Sequence, residues 1–309
     1  MYEDVPEAPR ILRMCELSVE PFLRYLDTTG GAWPEGIGYW NYGMRYAFMF
    51  LLSHERATGR RNPLLALRGV RETLEFPMDF CPNSQPCSFG DVNHWAPAPF
   101  HYAVAQRTRC RPAVTFIDRW LASASAPVSG RVVRTGKGSA GWPSSAEWLL
   151  LHPGRTVSKT AAKAPGPVVK LYRTLDWGVL ADRMPEPRVY VSVRGGTTCV
   201  PHGHRDLMSF HLVVGSERLI ASLGPDEYLD TTFSPRRDEI FEMTPAANNT
   251  LLINGVGVAV KSALNSTRLL RTSSGPAIRL IATDAMGRMN AGPAARFCGR
   301  IFILLFSRA

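Results

Sequence analysis

The feature that most constrains this chain is a change in the spacing of its apolar residues near Val168. Before that point they recur at three and four. Ile11, Cys15, Val19, Phe22 and Leu26 make one stripe, which predicts a helix ending near Thr29-Gly30-Gly31. A second helix is expected over about 42–57, closed by Gly59. A third is expected from Asn62-Pro63 to about Leu74, since Asn can cap and Pro fits the first turn. Helices following one another through aromatic-rich connections suggest hairpins packed in a ring or solenoid. After Val168 the period is two. Val189, Val191 and Val193 alternate with Tyr190, Ser192 and Arg194, and Phe210, Leu212 and Val214 with His211 and Val213. Residues 251–253 precede the turn signal Asn254-Gly255, and 301–306 is an apolar run. Strands with no helical pattern between them predict an antiparallel sandwich.

The switch places a helical domain over 1–158, a linker over 159–167 (KTAAKAPGP from Lys159) and a β-sandwich domain over 168–309, with any site in the groove between the two domains. A long surface loop over 122–145, rich in Ser, Gly, Pro and Ala, and a short helix over 146–151 are expected before the linker.

Charge narrows the partners. Lys and Arg number 36 against 26 Asp and Glu, a formal +10, which suits an acidic partner: nucleic acid, anionic lipid or a uronate-bearing polysaccharide. No run of five like charges and no Arg/aromatic ladder is present, so nucleic acid is not expected. No apolar run approaches the ~20 residues of a membrane span, and residues 1–10 lack the basic and apolar regions of a secretory signal. Six scattered cysteines give no paired metal or redox spacing and read as free thiols.

Three stretches can carry chemistry. In GAWPEGIGYWNYG (31–43) the aromatic faces of Trp33 and Trp40 can stack on sugar rings, with Glu35 and Asn41 for the hydroxyls; the same aromatics could instead pack the start of the second helix. In PHGHRD (201–206), residues two apart share a side if the segment is extended. His202, His204 and Asp206 would then face one site as metal ligands or as acid and base, with Arg205 for an acidic substrate. Structural histidines explain the spacing equally well. In FGDVNHW (89–95), His94 is a candidate lining residue of the same groove or a structural histidine.

In order, GAWPEGIGYWNYG, FGD, PHGHRDLMSF, LGPDEY and NNTLLING resemble the heparinase II/III-like polysaccharide lyases over nearly the whole chain. The resemblance implies an α/α toroid, here incomplete, followed by an antiparallel β-sandwich. It also implies β-elimination on a uronic-acid-containing glycan of the heparin, heparan sulfate or alginate type. Such chemistry needs a base for the C5 proton, an acid for the departing O4 and charge stabilisation at the carboxylate. Tyr39 matches the family's catalytic Tyr and His202 its catalytic His. His204 matches a position that is a structural zinc ligand in some members.

The pattern is incomplete. No Asn- or His-bearing motif that would neutralise the carboxylate precedes Gly31, and the other two zinc-ligand positions hold Ser222 and Asn248. Zinc is therefore not expected, since Ser is a poor ligand and one His does not hold the ion. The expectation is a truncated or diverged relative: a lyase, or else a fragment or relative that binds acidic glycan without cleaving it. A cupin-like metal enzyme is argued against because no histidine follows His211. Relatives are often periplasmic or secreted, whereas the sequence fixes neither location nor oligomeric state.

Overall fold

The computed structural model describes residues 4–91, 95–125, 166–225, 227–252, 255–264, 266–273, 275–282 and 298–303. Among the described residues six helices come first: α1 (Ala8–Thr29), α2 (Gly36–Thr58), α3 (Arg68–Thr73), α4 (Phe76–Asp79), α5 (Pro99–Arg107) and α6 (Arg111–Ser125). Eight strands follow: β1 (Val168–Tyr172), β2 (Trp177–Ala181), β3 (Val189–Arg194), β4 (Phe210–Val214), β5 (Glu217–Ile220), β6 (Ser266–Thr272), β7 (Gly275–Ala282) and β8 (Cys298–Ile303). Strands β1 to β5 form one antiparallel meander and β6 to β8 another. The fold is thus a toroid-like helical part followed by an antiparallel β-sandwich. Among the described residues no helix is long and apolar enough to cross a membrane.

Helix α1 stops where its sequence predicts. Gly30 takes a left-handed conformation and donates its N–H to the Leu26 carbonyl. Of the predicted stripe only Leu26 is buried, beside Leu23; Val19 and Phe22 are partly buried and Ile11 is 51% exposed. Helix α2 begins six residues before the predicted start, so Tyr39, Trp40 and Asn41 are helical rather than looped. The cause is tertiary. The Ile37 N–H donates to Ser88 Oγ at 3.2 Å, and Gly36, at φ 85°, lies so close to the Phe89 carbonyl that a Cβ would come within 2.3 Å of that oxygen. The expected third helix is split into a 3-10 turn, Pro63–Ala66, and α3, while the Asn62 cap forms as predicted, accepting from Leu64 N at 3.1 Å. Helix α6 runs into the start of the expected 122–145 loop. The rest of that loop, the 146–151 helix and 159–165 of the linker lie outside the described residues.

The larger sheet is covered on both faces, which is why every residue of β2 is buried. One face meets the second sheet through Leu180, Val193, Ile278 and Leu280. The other joins the helical core, where Trp177 packs against Phe76, Phe80 and Phe89. This second face also carries polar side chains, because its neighbour is the irregular backbone of 79–91, whose carbonyls need donors. Tyr190 Oη donates to the Asp79 carbonyl (2.8 Å), Ser192 Oγ to that of Cys87 (2.8 Å) and His211 Nε2 to that of Ser88 (2.7 Å). The segment at 251–252 is not a strand. Instead the Asn249 side chain accepts from Phe210 N and donates to Phe210 O, both at 2.8 Å, imitating a strand pairing. Cys81, Cys87 and Cys110 are buried free thiols, while Cys15 and Cys199 are exposed.

Burial, with help from the nearby Arg218 charge, pushes His211 down to about 3. Folded His211 stays neutral while the unfolded chain takes up a proton near the ordinary histidine value of 6.5. Stability should therefore fall as pH drops through 6.5 toward the folded value. Urea midpoints taken from pH 7 to pH 4 check this, and His211→Gln should flatten the fall; an unchanged slope in that variant would sink the assignment.

Candidate functional site

Four segments converge where the N-terminus of α2 meets the sheet: Glu35 and Tyr39 at the helix start, the 88–91 segment, the turn containing His202 and His204, and the 228–237 segment. Gly90 permits the approach. It sits at φ 96°, where a Cβ would lie 3.0 Å from the His202 carbonyl and 3.2 Å from that of Glu35. Asp91 N–H then donates to the His202 carbonyl at 3.1 Å.

Asp91 is the hub. Its side chain is fully buried, with Oδ2 3.2 Å from His202 Nδ1, Oδ1 3.0 Å from His204 Nε2, and both oxygens bonded to Arg237. Burial alone would push its carboxyl up. The hydrogen bonds from His202, His204 and Arg237 outweigh that and hold it well below the usual carboxylate range. An ionised carboxylate only accepts, so Nδ1 of His202 and Nε2 of His204 carry the donated protons. The imidazole of His202 stacks on the Tyr39 ring, centroids 3.7 Å apart and planes 15° off parallel. Its Nε2 lies 3.4 Å from Glu35 Oε2. Burial raises Glu35, and the neighbouring Asp91 charge adds to this against the opposing effect of His202. The Tyr39 and Tyr228 hydroxyls share a hydrogen bond of 2.7 Å. Burial, that bond and the two carboxylates drive the Tyr39 phenol far above its usual value, so it is protonated. Phe233 closes one side, edge-on to His202 at 5.8 Å and 5.0 Å from the Tyr228 ring. Next to Asp91 lies a cleft of about 330 Å³ whose lining includes Gln85, Arg218 and Ser222.

Of the predicted residues, Tyr39, His202 and Glu35 meet here, with His204 fixed behind them on Asp91. Trp40 does not: it is fully buried, donating Nε1 to Thr73 Oγ1 at 2.7 Å and packing on Phe100 and His101, because the α2 register turns it into the helical core. Trp33 packs between α1 and α2 against Phe22 and Tyr25. Asn41 is half-buried on α2, with a buried Oδ1 that has no hydrogen-bond partner among the described residues. Arg205 turns to the 238–243 segment, with Nη2 3.4 Å from the Asp238 carbonyl. His94 lies outside the described residues. The expected shared side of His202, His204 and Asp206 also fails. His202 is left-handed (φ 57°) and the segment is a turn, so Asp206 pairs instead with Arg194 at 2.6 Å. Sequence reading did not single out Asp91, Tyr228, Phe233 or Arg237 as site residues, although FGD and LGPDEY contain the first two.

The donor set does not fit zinc. Ser222 Oγ donates to Asn248 Oδ1, and Asn248 Nδ2 donates to the carbonyls of Glu242 (3.2 Å) and Thr244 (2.9 Å). Among the described residues no group of three or more His, Cys, Asp and Glu is placed to hold a metal ion.

The architecture, helical layer then sandwich with a Tyr/His pair at the junction, places the protein in a recognisable structural class. The heparan sulfate lyase HepC from Pedobacter heparinus superposes with a TM-score of 0.62 at 10% identity, covering 98% of this chain and 41% of that one. A heparinase III structure gives 0.54 at 12% identity, covering 89% and 39%, and the heparinase III BT4657 gene product gives 0.52 at 10%, covering 91% and 40%. These identities establish likeness of fold, and the chain spans about two fifths of the length of those proteins. No curated protein matches by sequence. The profile described as "Heparinase II/III-like, C-terminal" matches residues 166–284. Over that part the chain is similar to the heparinase II/III-like family.

Proposed function

We propose that the chain acts on uronic-acid-containing glycans of the heparin, heparan sulfate or alginate type by β-elimination, with His202 as base and Tyr39 as acid. The observation that carries this is the Tyr39–His202 stack, with the Tyr39 phenol held protonated and His202 oriented by Asp91. His202 donates a hydrogen bond from Nδ1–H to Asp91, which leaves the Nε2 lone pair to take the C5 proton; the Asp91 carboxylate then supplies the countercharge to the protonated ring. The C5–H electrons form the C4–C5 double bond, the C4–O4 bond breaks, and protonated Tyr39 gives its proton to O4. Glu35, with Oε2 3.4 Å from Nε2 and its carboxyl raised, can accept the proton from the charged ring and return His202 to its starting state. The +10 charge and the heparan sulfate lyase likeness support an acidic glycan as ligand.

One observation favours a second reading, an acidic-glycan binder that does not cleave. Arg237, the cation beside the two histidines, is committed to Asp91, and carboxylate neutralisation is the costliest part of the elimination. Purified protein should release ultraviolet-absorbing unsaturated ends from at least one such polymer. Tyr39→Phe and His202→Ala should each lower turnover by about 10²–10⁴-fold while keeping glycan binding. Binding with no unsaturated product from any polymer would leave the binder.

A further inference from the structure

A zinc ion at this place would have to be gathered from His204 and the side chains at 222 and 248. His204 has only Nδ1 left without a partner among the described residues, one donor that does not hold the ion, and the other two side chains are engaged. His204 faces Asp91, and Ser222 and Asn248 satisfy each other and two carbonyls. The Arg237 guanidinium contacts both oxygens of Asp91, and it also donates to the Gly203 carbonyl (3.2 Å) and the Thr232 carbonyl (3.2 Å). One planar cation therefore ties together the 88–91 segment, the histidine turn and the segment leading to Arg237. A divalent ion fixes separate segments in the same manner, by collecting oxygen and nitrogen donors around one positive centre.

We infer that the Asp91–Arg237 pair takes the part a structural zinc ion would play, organising the histidine turn without metal and positioning His202 through Asp91. Asp91 offers one oxygen to each histidine, so the pair fixes both ring orientations at once. Arg237 and Asp91 are positioning residues, and the part of the inference that concerns turnover rests on the function proposed above.

The test uses the full chain and readouts that do not need turnover. Metal analysis after dialysis should find no stoichiometric zinc, and the thermal midpoint should be the same with and without chelator. Nitrogen-15 spectra of the imidazoles should show His202 protonated at Nδ1 and His204 at Nε2. Asp91→Asn should lose this pattern. Arg237→Met should lower the thermal midpoint, with Arg237→Lys recovering part of the loss. If the parent is a lyase, Asp91→Asn should lower kcat more than it changes KM. One zinc per chain that His204→Ala abolishes would overturn the inference, as would opposite tautomers in the parent, a measurement that needs no variant to fold. A parent that shows the expected tautomers without metal but produces no unsaturated ends would overturn the lyase reading alone.

Discussion

Replacing Asp206 with alanine is expected to lower the free energy of unfolding by about 3–5 kcal/mol. Asp206 is fully buried and Arg194 is 2% exposed, with Nε to Oδ1 at 2.6 Å. Removing the carboxylate leaves a guanidinium in the sandwich whose remaining partners are the Thr197 carbonyl at 3.2 Å and the face of Trp177 at 5.2 Å. Neither neutralises a full charge. A paired change, Asp206→Leu with Arg194→Met, should recover much of the loss, because a matched apolar pair does not bury an uncompensated ion. Urea unfolding of the three proteins measures both statements. A loss under about 1 kcal/mol in Asp206→Ala would mean that water reaches Arg194.

Trp177→Ala should cost about 3–5 kcal/mol as well, through the cavity left by a large buried ring. The more telling result is where the loss is felt. Trp177 stands on β2, yet its ring neighbours Phe76, Phe80 and Phe89 belong to the helical half, at 6.3, 5.7 and 5.1 Å. The apolar core runs without a break from Leu23 and Leu26 to Tyr190 and Val213. Helical circular dichroism and aromatic fluorescence should therefore shift together in this variant, as one cooperative transition. A helical signal that kept the parent midpoint while the aromatic signal moved would show that the two halves melt independently.

The sequence displays the parts of this fold that are set by local physics. The change from helical to strand period, the stops at Gly30 and Gly59 and the Asn62 cap all depend on neighbours a few residues away. The parts set by tertiary contact are hidden. The start of α2 depends on docking against Ser88 and Phe89, so the inward turn of Trp40 could not be read from its spacing. The direction of Asp206 depends on a left-handed residue at a non-glycine position. Arg237 lies in a mixed-charge run that looks like ordinary surface, and its partner Asp91 is 146 positions away. Tyr39 and His202 were legible through the resemblance of whole blocks, whereas pattern reading alone left both open.

The polar residues on the inner face of the larger sheet limit how this protein can be engineered. Ser192→Val would improve β-propensity, and a stabilisation campaign guided by strand preference would select it. The same change would leave the Cys87 carbonyl without its donor, and losing the His211 donor would do so at Ser88, three residues before Asp91. The best sequence for the sheet and the best sequence for the site it supports are different sequences. Variants chosen for thermal tolerance alone should loosen the Asp91 segment before they affect the sandwich.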